Sequence, residues 1–213
     1  MRLIPYLFLL LPALVLSGVA GAAPVTYTID PDHTYPSFDA DHMGLSVWRG
    51  KFNHTTGTVT LDRTARKGDV DITVDVASID FGNDALNKVI VKAKAPMCKD
   101  SCGLFDTAQY PKATYHGNLE DFVDGAPTRV AGTLALHGVT RPLDLAIDSF
   151  KCVPDFMLQP RERCGADAQA TFNRDAFGID AGKSFGIKMA VTLHIQVEAV
   201  ENATPSAAAS KSH

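Results

Sequence analysis

Two stretches decide how this chain reads: Tyr27-Thr28-Ile29-Asp30-Pro31-Asp32-His33-Thr34 and Leu136-His137-Gly138-Val139-Thr140-Arg141-Pro142. Each is a strand-like run that enters a polar, Pro- or Gly-marked turn and leaves into a second strand-like run. Neither holds a nucleophile, a phosphate-cradling loop or a metal-ligand spacing. They predict an antiparallel β fold in which the interior, rather than surface chemistry, is the working part.

The flanking sequence agrees. Val70, Ile72, Val74 and Val76 alternate with polar residues, as do Leu143, Leu145 and Ile147. In the longest run, Met189, Val191, Leu193, Ile195 and Val197 share one face. That period of two marks half-buried strands. Shorter strand signals lie at Val25–Asp30, Tyr35–His42, Leu45–Phe52, Thr56–Asp62, Ala113–Asp121, Arg129–His137 and Ala166–Asn173. One stretch is helical, Asn83 to Ala95, with Leu86, Val89, Ile90 and Ala93 at helix spacing. Many adjacent strands with short connections mean an antiparallel meander, as a sandwich or a closed barrel. Periodicity alone does not separate a filled barrel from one holding a ligand. Small residues (Ala166, Ala168, Ala170) and Gly132 on inward faces hint at space.

Candidate chemistry is sparse. Ser46 lacks the second glycine of a nucleophile elbow. His33, His42 and His54 match no compact metal motif. His42 shares an inward face with Phe38 and Ala40. It reads either as a hydrogen-bonded core histidine or as a polar contact for one end of an apolar ligand.

The ends set the context. Arg2, the apolar run Leu3 to Leu16 and the small residues through Ala22 read as a secretory signal peptide over residues 1–22, too short in apolar length to span a bilayer. The 191 residues after it make one domain of 23–201 with a disordered polar tail at 202–213. An oxidising destination favours disulfides, with Cys152 and Cys164 as a hairpin staple and Cys98 and Cys102 closing a tight loop. The formal net charge of −4, with no basic patch in the sequence, argues against nucleic acid and against an anionic membrane surface as partner.

Taken in order, several short motifs resemble those of the YceI-like family of secreted polyisoprenoid-binding proteins. They are Ile29 to Thr34; Phe38 to His42 with Gly44; Gly50-Lys51-Phe52 with Gly57; and Phe105 to Pro111 with Ala113-Thr114-Tyr115. Leu136 to Pro142 follows, then Cys164 to Asp167, Phe172-Asn173-Arg174 and Phe177-Gly178. The set covers residues 25 to about 200. Two features depart from the family pattern: Pro36, which marks an edge in its strand, and Cys98-Lys99-Asp100-Ser101-Cys102.

The resemblance implies an all-β, extended lipocalin-like, eight-stranded antiparallel barrel with the 83–95 helix against it. It also implies an apolar tunnel. On that reading the tunnel wall includes Phe38, Ala40, His42, Trp48 and Phe52 from the first half of the chain, with Ile72 and Val74. Leu134, Leu136, Leu145, Ile147, Ala170 and Phe172 follow, then Met189, Val191, Leu193 and Ile195. The implied function is a periplasmic carrier for a polyisoprenoid or isoprenoid quinone, with no catalytic residue, metal or cofactor besides that lipid and no stable membrane insertion. A homodimer is compatible with it. The alternatives are an enzyme using His42 as acid or base on a bound lipid, and a structural barrel with a filled core.

Overall fold

The computed structural model describes residues 23–96, 99, 102–158 and 160–203. Twelve strands and one α-helix occur in the order β1 Val25–Ile29, β2 Tyr35–His42, β3 Ser46–Phe52, β4 Thr55–Asp62, β5 Lys67–Asp75, β6 Ile79–Asp80, α1 Asp84–Ile90, β7 Lys112–Glu120, β8 Arg129–Leu136, β9 Val139–Pro142, β10 Leu145–Pro154, β11 Glu162–Asn173 and β12 Ala190–Glu201. Eight of them close a ring, β1-β4-β5-β7-β8-β10-β11-β12, with β12 pairing back onto β1. All pairings in this ring are antiparallel. Closure removes the exposed sheet edge that an open meander would leave.

The first of the two deciding motifs sits where the ring divides. β12 offers one edge to two partners: residues 199–201 pair with β1 and residues 191–196 with β2. Between them Asp30 to Thr34 makes a single 3-10 turn. The Asp30 carboxylate accepts the Asp32 N–H and contacts His33, and Pro31 needs no donor in the first turn. Thr34 is fully buried, its hydroxyl donating to the Glu198 carbonyl and accepting the Glu198 N–H. The turn thus peels β2 off the ring, and β2, β3 and β6 extend the sheet beyond it. Pro36 pairs with Ile195, one residue beyond the last β2–β3 pair, so its strand has an edge there.

The second motif is a two-residue hairpin joining β8 to β9. His137 and Gly138 both have positive φ, the pattern of a tight hairpin turn that matches strand twist. His137 Nδ1 lies 2.8 Å from the Phe177 carbonyl and its ring packs on Tyr110, so the hairpin also anchors two loops at that end.

One expectation needs correction here: the helix ends at Ile90 rather than Ala95. Beyond it the carbonyls of Ile90, Val91, Lys92 and Ala93 accept N–H groups from Phe105, Thr107, Asp106 and Leu104, and that returning segment replaces the next helical turn. Asn202, at the start of the expected tail, is tied to β1 through Thr26 and Thr28, while residues 1–22 and 204–213 lie outside the described residues. Cys152 and Cys164 are bonded across a β10–β11 pair. Cys102 is buried, and Cys98 lies outside the described residues.

Candidate functional site

Inside the ring lies one large cavity of about 980 Å³ with an almost wholly apolar wall. Its shape follows from β12. Val191, Leu193, Ile195, Val197 and Ala199 all line it, and at about 3.3 Å per residue those positions span roughly 26 Å. Strands of a closed barrel tilt by about 35–45°, so these positions span roughly 20 Å along the barrel axis. The void is longer than it is wide, a channel rather than a round bowl.

The deep end is buried and closed by Tyr27, Leu61, Leu119 and Val130, which belong to the main core cluster. Its polar groups are satisfied. The Tyr115 hydroxyl donates to the Leu143 carbonyl at 2.9 Å, and burial pushes its pKa upward. The Tyr27 hydroxyl donates to Glu162 at 2.7 Å, and burial and that bond push its pKa to about 12.

The other end opens between α1, the β2–β3 hairpin and the 182–187 turn. Leu86, Val89 and Ile90 of the helix face the channel. Trp48, Phe81, Phe38, Phe52 and Phe105 form a run of ring contacts along the wall, with centroids 5.4–6.1 Å apart. His42 stacks on Trp48 at 4.0 Å and is half-exposed at this mouth, so it is not a core histidine. Arg174 borders the same end and donates to the Ile179 and Ala181 carbonyls; burial lowers its pKa. Thr55 lines the cavity, and its Oγ1 is buried with no hydrogen-bond partner among the described residues.

All the residues assigned to the wall from the sequence border this cavity except Ala170 and Met189. Ala170 shares the inward face opposite Leu193, but its methyl is packed into the core. Met189 precedes β12, where its carbonyl accepts the Arg174 N–H, so strand parity no longer governs its side chain. The space inferred at Gly132 is filled by protein: a Cβ there would come 2.3 Å from the Tyr115 hydroxyl. Sequence reading missed the mouth residues Phe81, Phe185 and Ile187, which lie outside strands and carry no period-two signal. Val59 and Leu61 were recoverable by extending the parity of β4.

Among the described residues, two groups of side chains sit close enough to share a metal, and both are engaged: Cys152 and Cys164 in the disulfide, Asp30 and Glu198 by Arg163. No helix among the described residues is long and apolar enough to cross a membrane.

A closed antiparallel ring around a deep apolar channel defines a hollow β-barrel. The YceI-like domain family model matches residues 27–199, and the chain belongs to that family. Protein YceI of Escherichia coli O6:H1 is 29% identical over 136 residues, 62% of this chain and 66% of the relative. The match therefore spans just under two thirds of that relative's length. Among solved structures, Campylobacter jejuni YCEI protein aligns with a TM-score of 0.59 at 21% identity, covering 76% of this chain and 90% of that one. A polyisoprenoid binding domain from Saccharophagus degradans aligns at 0.55 and 18%, covering 84% and 99%.

Proposed function

We propose that this protein binds one long apolar chain, a polyisoprenoid or the tail of an isoprenoid quinone, and carries it through the periplasm as a binding protein rather than an enzyme. The observation that carries this reading is the shape of the cavity: about 980 Å³ drawn out along five successive inward positions of one strand. A compact ligand of that volume fits a bowl; an extended chain fits a channel. The volume is at the upper end for small-molecule sites. The Saccharophagus degradans domain, named for polyisoprenoid binding, supports the ligand class. The disulfide and the amino-terminal leader-like sequence support export to an oxidising compartment. Thr55 favours a ligand that brings an oxygen, because an unpaired buried hydroxyl is costly and a quinone carbonyl would accept from it.

The test uses the chain's single tryptophan. Trp48 lies in the channel wall at the mouth, and a quinone ring held there quenches its fluorescence. Titration with a long-tailed isoprenoid quinone gives saturable quenching that a polyprenyl alcohol reverses by competition, whereas a tail-less quinone does neither. Absence of saturable quenching, together with no lipid in organic extracts of the purified protein, overturns the reading in favour of an empty structural barrel.

A further inference from the structure

The mouth carries large apolar side chains that stand out into solvent. Leu45 is 81% exposed at the β2–β3 hairpin tip, flanked by exposed Met43 and Val47, and Phe185 is 61% exposed on the neighbouring turn. These two segments are held together: the Lys188 N–H donates to the Asp41 carboxylate at 3.1 Å. Water-exposed large apolar residues grouped beside an opening mark an interaction surface.

The charge around this opening identifies what covers it. Lys88 on α1, Lys92 and Lys94 just after it, and Lys183 and Lys188 on the far side come from two segments about ninety residues apart in sequence. Lys88, Lys92, Lys94 and Lys188 form no ion pair among the described residues. Of the nearby acids, Asp41 accepts the Gly44 and Lys188 N–H groups, Asp175 pairs with Lys183 and Asp39 with Arg49, while Asp84 on α1 stays exposed one turn from Lys88. On a chain of net charge −4, protruding apolar residues and unpaired lysines here surround the opening of the channel, which the exposed apolar tip at the opposite end does not. That combination fits the interface of a bilayer with anionic headgroups.

We propose that the mouth docks on the surface of a phospholipid bilayer containing anionic lipid, with Met43, Leu45, Val47 and Phe185 reaching into the headgroup boundary and the lysines among the phosphates. The channel then opens directly onto the phase in which a long apolar chain dissolves, so that chain passes between bilayer and barrel without crossing water. This rests on the channel reading above. The lysines are scattered in sequence and collect only in the folded protein, which is why no basic patch is visible along the chain.

The test is co-sedimentation with vesicles of phosphatidylcholine, with and without phosphatidylglycerol. It uses the chain from Ala23 onward, which retains every described element and lacks the apolar leader that would partition by itself. We expect binding to the anionic vesicles that weakens as salt rises. Met43→Asn with Leu45→Asp lowers the partition coefficient at least about tenfold; Asn suits the positive φ of residue 43. Lys88→Glu with Lys92→Glu lowers it at least about fivefold per charge. Phe156→Asp with Met157→Ser, at the exposed β10–β11 tip of the opposite end, leaves it unchanged. No binding by the parent, or loss only in the opposite-end variant, overturns the proposal. Mouth variants that bind vesicles as the parent does yet take up quinone from them more slowly also overturn it, in favour of a protein partner. Quinone quenching without vesicle binding sinks docking alone; vesicle binding without quenching sinks the channel reading and leaves docking standing.

Discussion

The two ends of the barrel are built from different materials. At the closed end Arg163 reaches Asp30, Asp155 and Glu198 at 2.5–3.1 Å, Arg63 and Tyr27 both bond Glu162, and the disulfide joins β10 to β11. Asp155 is almost fully buried there and also accepts the Met157 and Leu158 N–H groups. At the mouth the chain relies on aromatic contacts, glycine-rich turns and a seven-residue helix. Cross-links and satisfied ion networks hold a fixed geometry, whereas loosely tied apolar segments can part for a ligand at small cost. The comparison implies that changes at the closed end act on stability and changes at the mouth act on binding.

Removing the staple gives the largest expected effect. Cys152→Ser with Cys164→Ser closes no loop in the unfolded chain and lowers unfolding free energy by about 2–4 kcal/mol, measured by denaturant titration, while quinone affinity at low temperature stays within about twofold of the parent. A large affinity loss would break the division of labour.

The acid limb of stability comes next. Burial works to raise the Asp30 and Asp155 carboxyls, but Arg163 with the other hydrogen bonds outweighs it, His33 at Asp30 and the Met157 and Leu158 N–H groups at Asp155, and holds both below 3.8. A carboxyl lower in the folded than in the unfolded state contributes stability above its unfolded value and loses it as pH falls through its folded value. The denaturant midpoint should therefore drop on acidification below about pH 4. Arg163→Met lowers the midpoint at neutral pH and flattens that drop. An unchanged acid limb in the variant would place the titrating groups elsewhere.

Channel occupancy sharpens the mouth side. Val191 is buried on the wall in the mouth half, packed near Phe38. Val191→Trp in a filled core would cost about 1–3 kcal/mol through overpacking. In an open channel the ring takes space meant for ligand, so bound lipid disappears from extracts while the midpoint stays near the parent's. Strong destabilisation of a lipid-free parent would favour the filled core.

The smallest effect separates the two quantities within one residue. Thr55→Val removes an unpartnered buried hydroxyl at nearly constant shape, so the empty protein should gain up to about 1 kcal/mol. If the hydroxyl serves a ligand oxygen, quinone affinity falls about fivefold while that of an unfunctionalised polyprene does not change. Equal changes for both ligands would remove Thr55 from the contact.

Much of this architecture was legible in the residues. Alternation in Val70–Val76 and in Val191–Val197 gave the strand faces because the pleat has a period of two wherever one side is buried. The Asp30-Pro31 and His137-Gly138 turns were legible because their backbone demands are local. The Cys152–Cys164 pairing followed from two strand-like runs around a loop. Where a partner lies far along the chain, local pattern failed. Helical spacing continues to Ala93, but backbone groups arriving from 104–107 end the helix at Ile90. Met189 keeps the parity of β12 and loses its direction, because the chain has already turned toward Arg174.

The sequence by itself determined the strands, their inward faces, the two tight turns and the family, since each depends on neighbours a few residues away or on an ordered set of motifs. Only the tertiary structure decided that the interior is an open channel, that Gly132 makes room for Tyr115 rather than ligand, and that lysines from 88–94 and 183–188 meet at one mouth. Volume and charge density are sums over segments distant in the chain, and no local pattern encodes them.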